Sequence, residues 1–188
     1  MDLNASYKDT FIPLTTLSSG EGHEVTVDIS CYCDQIVNLC FVGETHREKK
    51  EWVLVDAGMP GTAARIIREA EERFGPNNKP TSIILTHGHF DHVGAIEDLL
   101  ERWDVSVYAH ELEIPYLTGK KDYPKGDSTV DGGLVSELSP LFPNHGIDLG
   151  DRIKALPRDG GEELTQNLSE LAAHFEEMAI PEAGRFVH

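Results

Sequence analysis

Thr86-His87-Gly88-His89-Phe90-Asp91-His92 places three imidazoles and one carboxylate within six positions. A divalent cation needs several deprotonated nitrogen and oxygen donors brought to one point. The residues just upstream, Ile83-Ile84-Leu85, form a short β-branched run bounded by Pro80, which reads as a buried strand. The donors therefore sit where a strand runs out into a loop. On a helix, side chains at i and i+2 diverge by about 200°. From a strand end entering a tight loop they can converge, with Gly88 supplying backbone freedom between the first two. The bland alternative is a solvated polar loop. Four donor-capable side chains in H-x-H-x-D-H order favour a metal centre over it. Zinc is the default ion, because imidazole and carboxylate suit it. Iron, manganese and cobalt accept the same donors, and affinity order alone does not choose among them.

The elements that must hold this loop can be read outward from it. Asp91 and His92 open a helix, Gly94–Trp103, whose apolar positions Ile96, Leu99, Leu100 and Trp103 keep helical spacing. Upstream, Glu24–Ser30 alternates strictly and predicts a half-buried strand, and Ile36–Val42 a more buried one. Gly43–Lys50 is a charged hairpin loop, with His46 solvated in it, leading to a strand at Trp52–Val55. Pro60-Gly61-Thr62 opens a helix with Ala63, Ile66, Ile67, Ala70 and Phe74 on its apolar side, stopped by Gly75-Pro76. Val105–Tyr108 is another strand. Alternating strands and helices argue for an α/β layered domain. Glu111–Tyr116 reads as a short helix. Thr118–Asp131 reads as a long exposed loop, either a lid over the site or a plain insertion. His145 reads as a turn residue. Gly150-Asp151 reads as a tight hairpin turn between Ile147–Leu149 and Ile153–Leu156.

Thr86–Ala95, T-H-G-H-F-D-H-V-G-A, resembles the signature of the metallo-β-lactamase superfamily of metallo-hydrolases. Trp52–Gly58 is similar to that family's strand ending in Asp-(Ala/Thr)-Gly. The resemblance runs from about Val25 to Leu156. It implies an α/β fold, an αββα sandwich with metals at one edge. It implies that His87 and His89 serve a first metal, that Asp91 and His92 serve a second, and that Asp56 buttresses the metal loop. It also implies hydrolysis of an ester, thioester, lactone or amide by hydroxide held on the metals, with Asp91 as ligand and proton acceptor. An iron redox branch fits less well, because a Glu is expected there where His89 stands.

The chain departs from the family after Leu156. The expected Pro-Gly-His-like turn, bridging Gly-Asp and final Gly-His are missing. Instead Pro157–Gly161 leads into one amphipathic helix with Leu164, Leu168, Leu171, Ala172, Phe175 and Met178 on its apolar face, then a tail. His174 reads as packing and His188 as a terminal residue. The chain thus divides at 1–156, an N-terminal half carrying the metal loop, and 157–188, the helix and tail, with an internal segment expected to be absent near Gly160-Gly161. A sandwich incomplete in one chain exposes an apolar sheet face, which predicts a homodimer. The missing ligands leave a second reading open: a metal-binding protein with an incomplete site and little or no turnover.

Composition bounds the partners. The net charge is −17, from 33 acidic and 16 basic residues. Such a surface repels nucleic acid, whose binding relies on Lys and Arg, so a small-molecule substrate is expected. No apolar run approaches the roughly 20 residues needed to span a bilayer, and the N-terminal residues lack a secretory pattern. No membrane partner and a cytoplasmic location are expected. Three cysteines, Cys31, Cys33 and Cys40, predict free thiols in such a chain. Cys31-Tyr32-Cys33 could be half a metal site, but strand residues acting as small hydrophobes is the favoured reading.

Overall fold

Strand β3 (Val37–Val42) is an interior strand of the sheet and suits that place, because five of its six side chains are apolar and Leu39, Cys40 and Phe41 are wholly buried. The computed structural model describes residues 19–45, 51–126 and 139–157. His46, the segment 127–138, and the C-terminal helix, His174, His188 and tail lie outside the described residues. The chain divides into two units, 1–155 and 156–188, and the fold below is that of the first.

On one side of β3 lie β2 (Ile29–Asp34) and β1 (Gly22–Glu24); on the other lie β4 (Val53–Val55), β5 (Ser82–Leu85), β6 (Ser106–Ala109) and β7 (Ile153–Ala155). Pairing is antiparallel from β1 to β4 and parallel from β4 to β7. The change of sense follows from the connections. Tight turns return the chain antiparallel, whereas parallel neighbours need a crossover. Helix α1 (Ala63–Phe74) makes the first crossover, and the pair α2 (Phe90–Val93) and α3 (Ile96–Trp103) makes the second.

The register puts Phe41, Leu54, Ile83, Val107 and Ile153 in one row across the sheet. That row and the buried sides of α1 and α3 form a common core. Within it Trp52 stacks on Phe74 at 4.6 Å and meets the edge of Trp103 at 5.5 Å. Aromatic contacts of this kind add about 0.5–1.5 kcal/mol each beyond the area they bury. The next row, Cys40, Val55 and Ile84, is buried as well. The large apolar side chains left exposed among the described residues are Val27, Leu112 and Leu141, which lie in none of the strands. Light scattering on the purified chain decides whether the expected homodimer forms. Among the described residues no helix is long and apolar enough to cross a membrane.

Four local expectations are corrected. Glu24–Ser30 is not one strand: the amides of Val25 and Thr26 both donate to the Ile29 carbonyl and Thr26 Oγ1 donates to Asp28, which turns the chain between β1 and β2. The β2–β3 hairpin sets Cys31 directly against Cys40, and they form a disulfide with Cα atoms 4.3 Å apart, so the free-thiol expectation fails for this pair. Cys33 stays outside it, its thiol directed at the Gln35 carbonyl. Gly150-Asp151 lies in a 3-10 turn, but this leads into β7, which pairs parallel with β6 rather than closing a hairpin. Finally, the helix expected at Gly94–Trp103 starts at Ile96. The amides of Gly94 and Ala95 are drawn to the carbonyls of Gly58 and Ala57, and the helical ladder cannot continue through them.

Candidate metal centre

Two loops, at the adjacent ends of the parallel strands β4 and β5, make the centre. The first, Asp56–Pro60, leaves β4. The second, Thr86–His89, leaves β5 and enters α2. Their backbones are tied: Ala57 N–H donates to the His92 carbonyl at 2.7 Å, and Gly94 N–H to the Gly58 carbonyl at 2.9 Å. The approach is so close that a Cβ on Gly94 would lie 2.3 Å from Pro60 N and 2.6 Å from Met59 C. The Asp56 loop is itself held from below. Asp34, fully buried, accepts from Met59 N–H at 2.8 Å through one oxygen and from Arg65 at 3.0 Å through the other.

Asp56 adopts the left-handed backbone region, φ 64°, which non-glycine residues seldom occupy. Aspartate tolerates it better than most. Its buried carboxylate accepts from Thr86 N–H at 2.8 Å, from the Thr86 hydroxyl at 2.9 Å and from His92 Nδ1 at 2.8 Å. The Thr86 oxygen in turn lies 3.0 Å from His87 Nδ1. A carboxylate only accepts, so His92 carries its proton on Nδ1; with the Thr86 hydroxyl spent on Asp56, His87 Nδ1 donates to Thr86 Oγ1. Both rings then keep Nε2 as a free lone pair, the arrangement that hydrogen-bonded metal-binding histidines adopt.

The structure brings the sequence-predicted residues together. The His87 ring lies 4.1 Å from that of His92 and 4.6 Å from that of His89, between centroids. Asp91 Oδ2 stands 3.8 Å from His92 Nε2. Two donors of one tetrahedral ion with bonds of about 2.1 Å are roughly 3.4 Å apart, so this pair is within a few tenths of an ångström of sharing a cation. Burial, then the nearby His92 and His89, push His87 down to about 4. Burial also lowers His89, with His92 adding to it against Asp91 and Glu113. At His92 burial pulls down, but the hydrogen bond and charge of Asp56, helped by Asp91, carry it above the usual imidazole value. His87 and His89, pushed toward the neutral form, suit a divalent cation, while His92 must give up the proton that Asp56 and Asp91 favour before its Nε2 can bind one. Among the described residues, however, no three His, Cys, Asp or Glu side chains already close into a cation cage.

Gly88 corrects the sequence expectation in kind. It is absent from the positive-φ glycines, so its service is not unusual backbone freedom but the missing side chain. A Cβ there would meet Leu117 Cδ2 at 2.8 Å and Tyr123 Oη at 2.9 Å. Leu117 closes the short helix α4 (Ile114–Leu117), and Tyr123 belongs to the segment read as lid or insertion. From that segment Tyr123 reaches the metal loop, at Gly88 and His89. Tyr123 and Glu113 are residues that sequence reasoning missed. The Tyr123 hydroxyl donates to Glu113, and burial followed by that bond raises its pKa, so it stays protonated. His145 is exposed.

A model of the metallo-beta-lactamase superfamily matches residues 34–176. The chain is 49% identical over 152 residues to a probable metallo-hydrolase, YflN, of Bacillus subtilis (strain 168), a match covering 81% of this chain and 57% of that protein. It is 42% identical over 64 residues to hydroxyacylglutathione hydrolase of Xylella fastidiosa (strain M12), covering 33% of this chain and 22% of that one. Among solved structures, a β-lactamase from Chitinophaga pinensis superposes with a TM-score of 0.54 at 16% identity, over 82% of this chain and 51% of the other. The chain thus spans little more than half the length of YflN and of that β-lactamase.

Proposed function

The chain belongs to the metallo-β-lactamase superfamily, and we propose that it acts as a metal-dependent hydrolase of small ester, thioester or lactone substrates, with zinc as the default ion. His87 and His89 would hold one ion and Asp91 with His92 a second. When bound, such an ion supplies a Lewis acid for the acyl carbonyl and makes water acidic enough to attack near neutral pH. The chain's own residues do the rest. Asp56 and Thr86 fix the rings of His92 and His87 through their Nδ1 atoms and so aim both Nε2 atoms into the centre. Asp91, 21% exposed, faces solvent enough to take the proton of the attacking water. The observation that carries this reading is the bridge from Asp56 to Thr86 and His92, because an ordinary polar loop has no need of a buried carboxylate in a left-handed backbone to set two tautomers. The likeness to hydroxyacylglutathione hydrolase supports a small acyl substrate, and the net charge of −17 is unfavourable to nucleic acid.

One observation favours a second reading, a metal-binding protein with an incomplete site and little turnover: no three donors among the described residues close into a cage. Elemental analysis of the purified chain, with turnover on a lactone and thioester panel, separates the two. Two ions per chain and activity abolished by His87→Ala support the hydrolase. One ion without turnover supports the incomplete site, and protein that takes up no metal refutes both.

A further inference from the structure

We propose that Tyr123 and Glu113 are positioning residues that hold His89 for metal binding, a second anchor of the metal loop independent of Asp56; this rests on the hydrolase reading above. Asp56 secures the loop at Thr86 and His92, on either side of the residues between His87 and Asp91. Gly88 N–H donates to Tyr123 Oη at 2.7 Å and lies 3.3 Å from a Glu113 carboxylate oxygen. Because that carboxylate also accepts a hydrogen bond from the Tyr123 hydroxyl, the three groups form a closed triangle around one backbone amide of the loop. The Tyr123 ring then rests against the His89 ring, 4.2 Å between centroids at a 57° tilt.

The anchor is itself braced. Tyr116 stacks on Tyr123 at 4.1 Å, with planes 12° apart. Tyr123 N–H donates to the Asn144 carbonyl at 2.8 Å, and Asn144 Nδ2 returns a bond of 2.8 Å to the Tyr123 carbonyl. Leu149 N–H donates to the Leu117 carbonyl at 3.0 Å, which ties the end of α4 to the strand-like segment before β7. A tyrosine serving only to pack a loop could give its hydroxyl to water. Here the hydroxyl reaches a metal-loop amide 35 residues earlier in the chain, at a glycine where an added Cβ would lie 2.9 Å from that hydroxyl. Partners that orient metal-binding side chains typically contribute 10–100-fold to metal affinity.

The test uses the full chain with Tyr123→Phe, which keeps the ring and removes the hydroxyl, and Glu113→Gln, which keeps an acceptor. Amide hydrogen exchange at Gly88 is read in metal-free protein, and Co(II) binding by its visible absorption. Tyr123→Phe is expected to speed Gly88 exchange at least tenfold, to weaken Co(II) about tenfold and to alter the spectrum at saturation, while Glu113→Gln falls between it and the parent. A purely structural role would lower Tm and leave affinity and spectrum unchanged. Exchange and affinity within twofold of the parent would overturn the proposal, and so would faster exchange with unaltered affinity. A parent chain that binds no Co(II) would overturn the hydrolase reading instead; the exchange measurement would still decide whether the anchor exists.

Discussion

Asp56→Asn isolates the bridge on which both imidazole tautomers depend. Asparagine tolerates the left-handed φ of 64°, so the backbone is not newly strained. It keeps one carbonyl oxygen for Thr86 N–H but sets an NH2 where an oxygen now accepts from His92 Nδ1 at 2.8 Å. Donor then faces donor, and His92 must turn or change tautomer. The bond lost is a charge-assisted one, worth about 1.5–3 kcal/mol. With the Asp56 side chain only 5% exposed, water does little to replace it. For a chain of this size that corresponds to a Tm lowered by roughly 3–12 °C. Metal affinity should fall about 10–100-fold, or roughly 1.4–2.7 kcal/mol. The assays are a thermal melt of the metal-free chain and a zinc titration against a chromophoric chelator, with nitrogen NMR of His92 reporting the tautomer. An asparagine variant that melts within about 2 °C of the parent and binds zinc within threefold would refute the reasoning.

Further outcomes are open to direct measurement. Gly94→Ala drives a Cβ into the backbone at Pro60 and Met59, which cannot step aside as a side-chain tip could; a loss of at least about 2–3 kcal/mol in urea denaturation is expected, whereas Gly61→Ser, at a position with open space but φ 77°, should cost less. Metal-free protein should lose stability as pH falls from about 6.5 towards 4: His87 stays neutral in the fold down to about 4 while its unfolded counterpart takes up a proton, so acid favours unfolding. His89 shifts the same way and His92 the opposite way, and a melt that gains stability on acidification through this window would refute the assignment. Alkylation of denatured, unreduced protein should label one cysteine of three, rising to three after reduction.

How much was legible in the sequence depends on the span of the interactions. The metal loop and its strand were readable because their chemistry is packed into consecutive residues, and Asp56 was found through a family likeness rather than from any local signal. Glu24–Ser30 misled because period-two alternation says nothing of hydrogen bonding, and there two amides converge on one carbonyl. The disulfide was within reach: a two-residue turn at Gln35-Ile36 sets Asp34 against Val37, and counting three residues outward from each reaches Cys31 and Cys40. The break before Ile96 depends on carbonyls at Ala57 and Gly58, far upstream, and no helical pattern could foretell it. Glu113 and Tyr123 were invisible because each meets Gly88 only through tertiary packing, across 25 and 35 residues of chain.

The mixed sense of the sheet bears on when the centre comes into being. Antiparallel strands β1–β3 are neighbours in the chain and can zip early, while the parallel strands must wait for crossovers to close at a greater entropic cost. Asp56 and Thr86, 30 residues apart, meet only once β4 and β5 have paired around α1. A cation arriving before then finds no assembled cradle. Zinc should therefore leave the refolding rate almost untouched and slow unfolding instead, a division that stopped-flow traces with and without the ion would expose.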